Sequence, residues 1–167
     1  MDPVGHFSVA LAASAVARPK APVWVLGLAT AVPDALFFGC EALGWEHKAK
    51  TTLTVKDGLK YQKPATIYLS HGLFMTLIWS VLVAAIAWPF YRDLWTSVIV
   101  GLMVLSHWVL DALVYNNMPL FLKDSREVGL SLITSAPGFV AGIILEIVIV
   151  AGGIALFFFA CGRATRP

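Results

Sequence analysis

Apolar runs fill most of this chain, and short polar breaks divide them into five segments. Gly5 to Ala17 comes first and ends at Arg18-Pro19-Lys20-Ala21-Pro22, a sequence suited to a tight helical hairpin. At about 1.5 Å per residue this segment reaches only about 20 Å, less than the roughly 30 Å hydrocarbon core. Pro22 to Gly44 is long enough to cross, with Val32-Pro33-Asp34 in its middle. Pro33 withholds a backbone N–H, so a kink is expected there. Tyr68 to Phe90 opens on Ser70-His71, Leu94 to Tyr115 contains Ser106-His107 and Asp111, and Pro137 to Ala160 contains Glu146. The pattern predicts an all-α, polytopic integral membrane helix bundle, one domain over residues 1–167, with four long spans plus a short N-terminal helix.

The connectors follow the same logic. Trp45 to Thr66 is polar and lysine-bearing, and Thr51 to Val55 within it reads as a short strand or lid. Gly129 to Thr134 reads as a shallow interfacial segment. Trp24, Trp45, Tyr68, Trp88, Tyr91, Trp95 and Tyr115 fall near the span ends, as an aromatic belt requires. Trp79 and Trp108 do not, and are expected against lipid or another helix.

Composition strengthens the membrane reading. Of 167 residues, 59% are hydrophobic and 13% charged. Soluble domains run nearer 45–50% and 25%. The formal net charge of +2 is too small to argue for nucleic acid. The N-terminus lacks a basic n-region and a small-x-small cleavage site, so the first helix is expected to be retained. Cys40 and Cys161 are expected near opposite membrane faces, too far apart to pair.

Ionisable groups within apolar runs are costly, and normally face a protein interior or a wet cavity. His107 and Asp111 stand four apart, on one helix face. With the segments crossing alternately, His6, Asp34, His71, His107, Asp111 and Glu146 all fall in one membrane half. Three imidazoles and three carboxylates at one depth suit a first-row divalent metal, zinc foremost. Taken singly, each has a plainer reading: His6 or His71 as an interfacial group, Asp34 as a proton-relay site, Glu146 as a protonated interhelical donor. Lys and Arg number seven on the side of these groups and five on the other. Even so, the compact flanking arginines and basic tail favour the other side as cytoplasmic.

An N-terminal Asp-Pro-x-x-His, a Pro-Asp in the second segment, a Ser-His opening the third and a Ser-His-x-x-x-Asp in the fourth together resemble the YdjM-type family of predicted membrane-bound metal-dependent hydrolases. That resemblance implies His6, Asp34, His71, His107 and Asp111 as metal ligands or catalytic groups in a bacterial or archaeal inner membrane, with Glu146 less directly. Leu36 stands where many relatives show a second Asp, which removes a candidate ligand, and Gly72 stands where many show Ser. The expected function is a membrane-embedded hydrolase with Asp34 or Glu146 as general base, acting on a membrane lipid or lipid-linked ester or phosphoester. The alternative is a transporter, or proton- or ion-coupled protein, using the same groups.

Overall fold

The computed structural model describes residues 3–47, 50–54, 58–63, 66–122, 126–130, 132 and 136–164. Six helices carry the fold: α1 Pro3–Ala17, α2 Val23–Thr30, α3 Val32–Ala42, α4 Leu73–Tyr91, α5 Leu94–Val114 and α6 Ala136–Ala164. Three helices are long and apolar enough to cross a membrane, and α2 with α3 makes a fourth span if the bent pair crosses as one. The short helix α1 completes the expected arrangement of four long spans and a short N-terminal helix.

The expected span from Pro22 to Gly44 is two helices bent by 41°, with the break at Ala31. Pro33 lies in the first turn of α3, where its missing N–H costs nothing. The third segment needs correction. Tyr68 to Ser70 form a turn and α4 begins only at Leu73, so Ser70 and His71 precede the helix instead of opening it. Gly72 explains this boundary. A Cβ there would sit 2.4 Å from the Tyr68 carbonyl oxygen and 2.7 Å from that of Phe121.

The polar connector holds an antiparallel hairpin, β1 Lys50–Thr54 with β2 Gly58–Lys63. The strand expectation at Thr51 to Val55 is met through Thr54, while Val55 lies outside the described residues. A second small pairing joins β3 Met118–Pro119 to β4 Glu127–Val128. The interfacial segment expected at Gly129 to Thr134 lies partly outside the described residues. Within it, the Leu130 N–H donates to the Ala112 carbonyl. Among the described residues, Cys40 and Cys161 form no disulfide.

Helix α5 is the axis of the bundle. It packs against α1, α2, α3 and α4, and is the most enclosed span, whereas α4 and α6 turn most of their side chains outward. Lipid tails are as apolar as leucine, so hydrophobic burial does not drive this association; close packing does. Small residues permit it. A Cβ on Gly101 would lie 2.6 Å from the Ser80 carbonyl oxygen and 2.9 Å from the Ala84 Cβ, which locks α5 against α4.

The end of the bundle bearing the α1–α2 and α4–α5 connections is tied by polar contacts. Asp93 caps α5, accepting from the Thr96 hydroxyl and from the Thr96 N–H at 2.8 Å. The Lys20 N–H donates to the Thr96 hydroxyl at 2.9 Å, and the Trp95 indole to the Ala17 carbonyl at 2.9 Å. The Thr96 bonds hold the Asp93 carboxyl below the usual carboxylate range.

Two outcomes follow. Gly101→Ala forces α4 and α5 apart and should cost about 1–3 kcal/mol, read as a lowered unfolding temperature in detergent. Asp93 binds its proton less readily folded than unfolded. Its contribution is therefore present above the unfolded value of about 3.9 and lost as pH falls through the lower folded value. Thermal unfolding measured from pH 6 down to about pH 3 should show the wild type losing more stability than Asp93→Asn; equal losses would contradict the cap.

Candidate metal centre

At the opposite end of the bundle, five ionisable side chains are placed by four local devices. His6 sits one turn into α1 and is buried. Asp34 lies in the first turn of α3, where the helix dipole favours a carboxylate. His71 closes the turn before α4. His107 and Asp111 occupy the last two turns of α5 on its inward face, both buried.

The break between α2 and α3 positions more than Asp34. It leaves the Thr30 carbonyl open to His107, whose Nδ1 lies 2.8 Å away. A carbonyl only accepts, so this nitrogen carries the proton and neutral His107 turns the lone pair of Nε2 inward. His71 is held similarly, its Nδ1 lying 2.8 Å from the Ser70 hydroxyl. Both Nε2 atoms then face one another at 3.2 Å.

Two carboxylates close around that pair. His107 Nε2 is 3.3 Å from Asp111 Oδ2 and 3.7 Å from Asp34 Oδ1. His71 Nε2 is 3.5 Å from Asp34 Oδ1 and 3.9 Å from Asp111 Oδ2. Ligands about 2.0–2.1 Å from a tetrahedral ion are separated by edges of about 3.3 Å. The five distances run from 3.2 to 3.9 Å, from that value upward, and the chemistry, imidazole nitrogen with carboxylate oxygen, suits zinc and similar ions.

His6 adds a second grouping. His6, His107 and Asp111 present ligand atoms within 4.8 Å of one another, as do Asp34, His71 and His107. The His6 ring stacks on His107, centroids 3.9 Å apart and planes 5° from parallel. Its Nε2 approaches Asp111 Oδ1 at 3.4 Å, yet neither ring nitrogen makes a hydrogen bond. A buried polar atom left in that state is costly. A cation beside it would remove the cost.

Glu146 does not join either grouping. It lies on α6, half-buried, in a groove of about 380 Å3 shared with Val4, Ile147, Val150 and Ile154. Asp34 is the most open member of the cluster, its side chain 43% exposed against 8% for Asp111. Any water or substrate therefore meets Asp34 first.

Three supporting groups escaped the sequence reading. Ser70 and the Thr30 carbonyl orient the two imidazoles. The third is Glu46, which sits in the polar connector yet is wholly buried. Its Oε1 accepts from the N–H groups of Leu69 at 2.7 Å and Ser70 at 3.1 Å, and so shapes the turn that carries His71. Trp79 braces that turn, its indole donating to the Leu69 carbonyl at 2.9 Å. Trp79, which with Trp108 falls outside the aromatic belt, hinted at such an internal contact. Nothing in the spacing marked Glu46.

The fold and this cluster define a class: a polytopic integral membrane helix bundle with a buried centre of histidines and aspartates at one end. The chain belongs to the YdjM inner membrane protein family, whose model matches residues 1–165, and is an integral protein of the inner membrane. Comparison with curated proteins and with solved structures returned no match.

Removing the Glu46 side chain strands two N–H groups. Glu46→Ala should lower stability by about 1–3 kcal/mol in detergent unfolding. Glu46→Gln keeps an acceptor oxygen and should recover much of the loss. A Gln variant as damaged as the Ala variant would mean that the bonds to Leu69 and Ser70 are not what the side chain provides.

Proposed function

We propose that this protein is a membrane-embedded, metal-dependent hydrolase acting on the ester or phosphoester of a membrane lipid or lipid-linked molecule. The observation that carries the reading is the approach of the His71 and His107 Nε2 atoms to each other and to the Asp34 and Asp111 carboxylates at 3.2–3.9 Å, distances that ligand atoms around one small divalent ion span. His71, His107 and Asp111 would hold the ion, leaving its fourth position open on the side of Asp34, the most exposed member, with His6 flanking. A divalent metal bound there supplies Lewis acidity and an activated water.

The protein's own groups do the remaining work. The Thr30 carbonyl and Ser70 hydroxyl keep both imidazoles aimed inward, as the partners of metal-bound histidines do. Asp34, at the open side, is the general base that takes a proton from the attacking water. Glu146 stands apart from both groupings, so the base role falls to Asp34. The surrounding apolar side chains exclude bulk water and strengthen each charge interaction inside. A proton relay would string its groups along the bundle axis, whereas these five gather at one end in two groupings that share His107.

Metal analysis of the detergent-purified protein checks this. About one equivalent of zinc or a similar ion is expected per chain. Removing a ligand by His107→Ala or Asp111→Ala should lower that content several-fold, and Asp34→Asn should abolish hydrolysis on a lipid panel while retaining much of the metal. Wild-type protein without metal, or with content indifferent to His107→Ala, would end the proposal.

A further inference from the structure

His6 is the member of the cluster that a single ion leaves unused. It is 3% exposed, and neither of its ring nitrogens has a hydrogen-bond partner. An imidazole buried in that state is costly, yet its Nε2 stands only 3.4 Å from Asp111 Oδ1.

The ring geometry decides how His6 can be used. The lone pair of an imidazole nitrogen lies in the plane of its ring, so a bound ion lies close to that plane. The His6 and His107 rings are stacked, 5° from parallel with centroids 3.9 Å apart. Planes so nearly parallel do not meet within the cluster, and an ion in the plane of His107 is well out of the plane of His6. The two histidines therefore do not share an ion, although their nitrogens lie close together. His107 is already committed to the site with His71, whose Nε2 faces its own at 3.2 Å.

Asp111 reaches both planes. Its Oδ2 lies 3.3 Å from His107 Nε2, and its Oδ1 lies 3.4 Å from His6 Nε2. Each histidine thus faces a different oxygen of one carboxylate. That is the arrangement of a bridging carboxylate in a two-metal centre, where the ions stand about 3.5–4 Å apart. The 3.9 Å offset of the two rings agrees with such a pair.

We infer that His6 Nε2 and Asp111 Oδ1 hold a second divalent cation, and that the paired centre takes a phosphoester instead of a carboxylic ester. The substrate class rests on the hydrolase reading; the second cation rests on the geometry of His6 and Asp111. With His6 and Asp111 as its protein ligands among the described residues, the second site is weaker than the first, and water or substrate oxygen completes its shell. Charge selects the substrate. Metal-bound imidazoles are neutral, so the negative charge of the cluster is that of Asp34 and Asp111. One divalent ion cancels it. A second leaves an excess of positive charge, which an anionic phosphoester complements and a neutral carboxylic ester does not. In-line displacement at phosphorus is also the reaction that two-metal centres assist at both the attacking and the leaving oxygen.

Titration with manganese tests the second site without any substrate. The detergent-purified protein, stripped of metal and checked by size exclusion, is followed by electron paramagnetic resonance as manganese is added. The tight site should give the signal of an isolated ion. A second ion, bound several-fold more weakly, should bring the total to about two per chain and broaden that signal, because ions sharing a carboxylate couple magnetically. His6→Ala, and His6→Phe, which keeps a ring against His107 without a ligand nitrogen, should bind the tight ion with unchanged affinity and lose the second. Unchanged tight binding shows that both variants fold. Inorganic phosphate, measured by calorimetry, should bind several-fold more tightly to the two-ion form than to the one-ion form. Saturation at one ion overturns the second site and leaves the hydrolase reading in place, whereas no bound ion removes both. Two ions without magnetic coupling, or a second ion retained in both His6 variants, overturns the assignment to His6 and Asp111. Phosphate binding indifferent to the second ion overturns the substrate class.

Discussion

Five ionisable side chains share one buried pocket between membrane helices, and much of the architecture follows from the cost of placing them there. An isolated carboxylate in such a medium is disfavoured by several kcal/mol or more. Each must find partners, and here other members of the set supply several of them. Asp111 lies against His6, His71 and His107, while Asp34 lies against His71 and His107. Losing one helix would leave charges of the others uncompensated, so the cluster also binds the bundle together.

The helix irregularities serve that convergence. A straight second span would pair the Thr30 carbonyl within its own helix and carry Asp34 onward along the axis. The 41° bend frees the carbonyl for His107 and sets Asp34 at a fresh helix start. The late start of α4 acts similarly. A turn held by Glu46, braced by Trp79 and admitted by the missing Cβ of Gly72 presents His71 from a fixed direction. Regular helix supplies only His6, His107 and Asp111. Asp34, in the first turn of α3, and His71, ahead of α4, come from the places where helix is interrupted.

The polarity of the bundle runs lengthwise as well as radially. One end is tied by ordinary interfacial bonds among Asp93, Thr96, Lys20 and Trp95. The other end holds the cluster. Between them α2, α4 and α5 present apolar stripes that meet in a lateral groove.

Much of this was written along the chain. Run length and hydropathy determine the spans, because the bilayer thickness leaves few alternatives for stretches as apolar as Leu94 to Tyr115. The i, i+4 spacing determines that His107 and Asp111 share a face. Alternating passage then puts His6, Asp34 and His71 at the same depth. Depth along the membrane normal is a one-dimensional quantity, and residue counting reaches it. Position within the membrane plane is not. Glu146 shares the depth of the cluster yet faces a separate groove with Val4, because rotation of α6 about its axis is set by packing against α1. Glu46, lodged in a polar connector, is buried because the turn before α4 offers it two N–H donors. Pairings of that kind depend on which backbone groups the fold leaves open, and only the tertiary structure decides them.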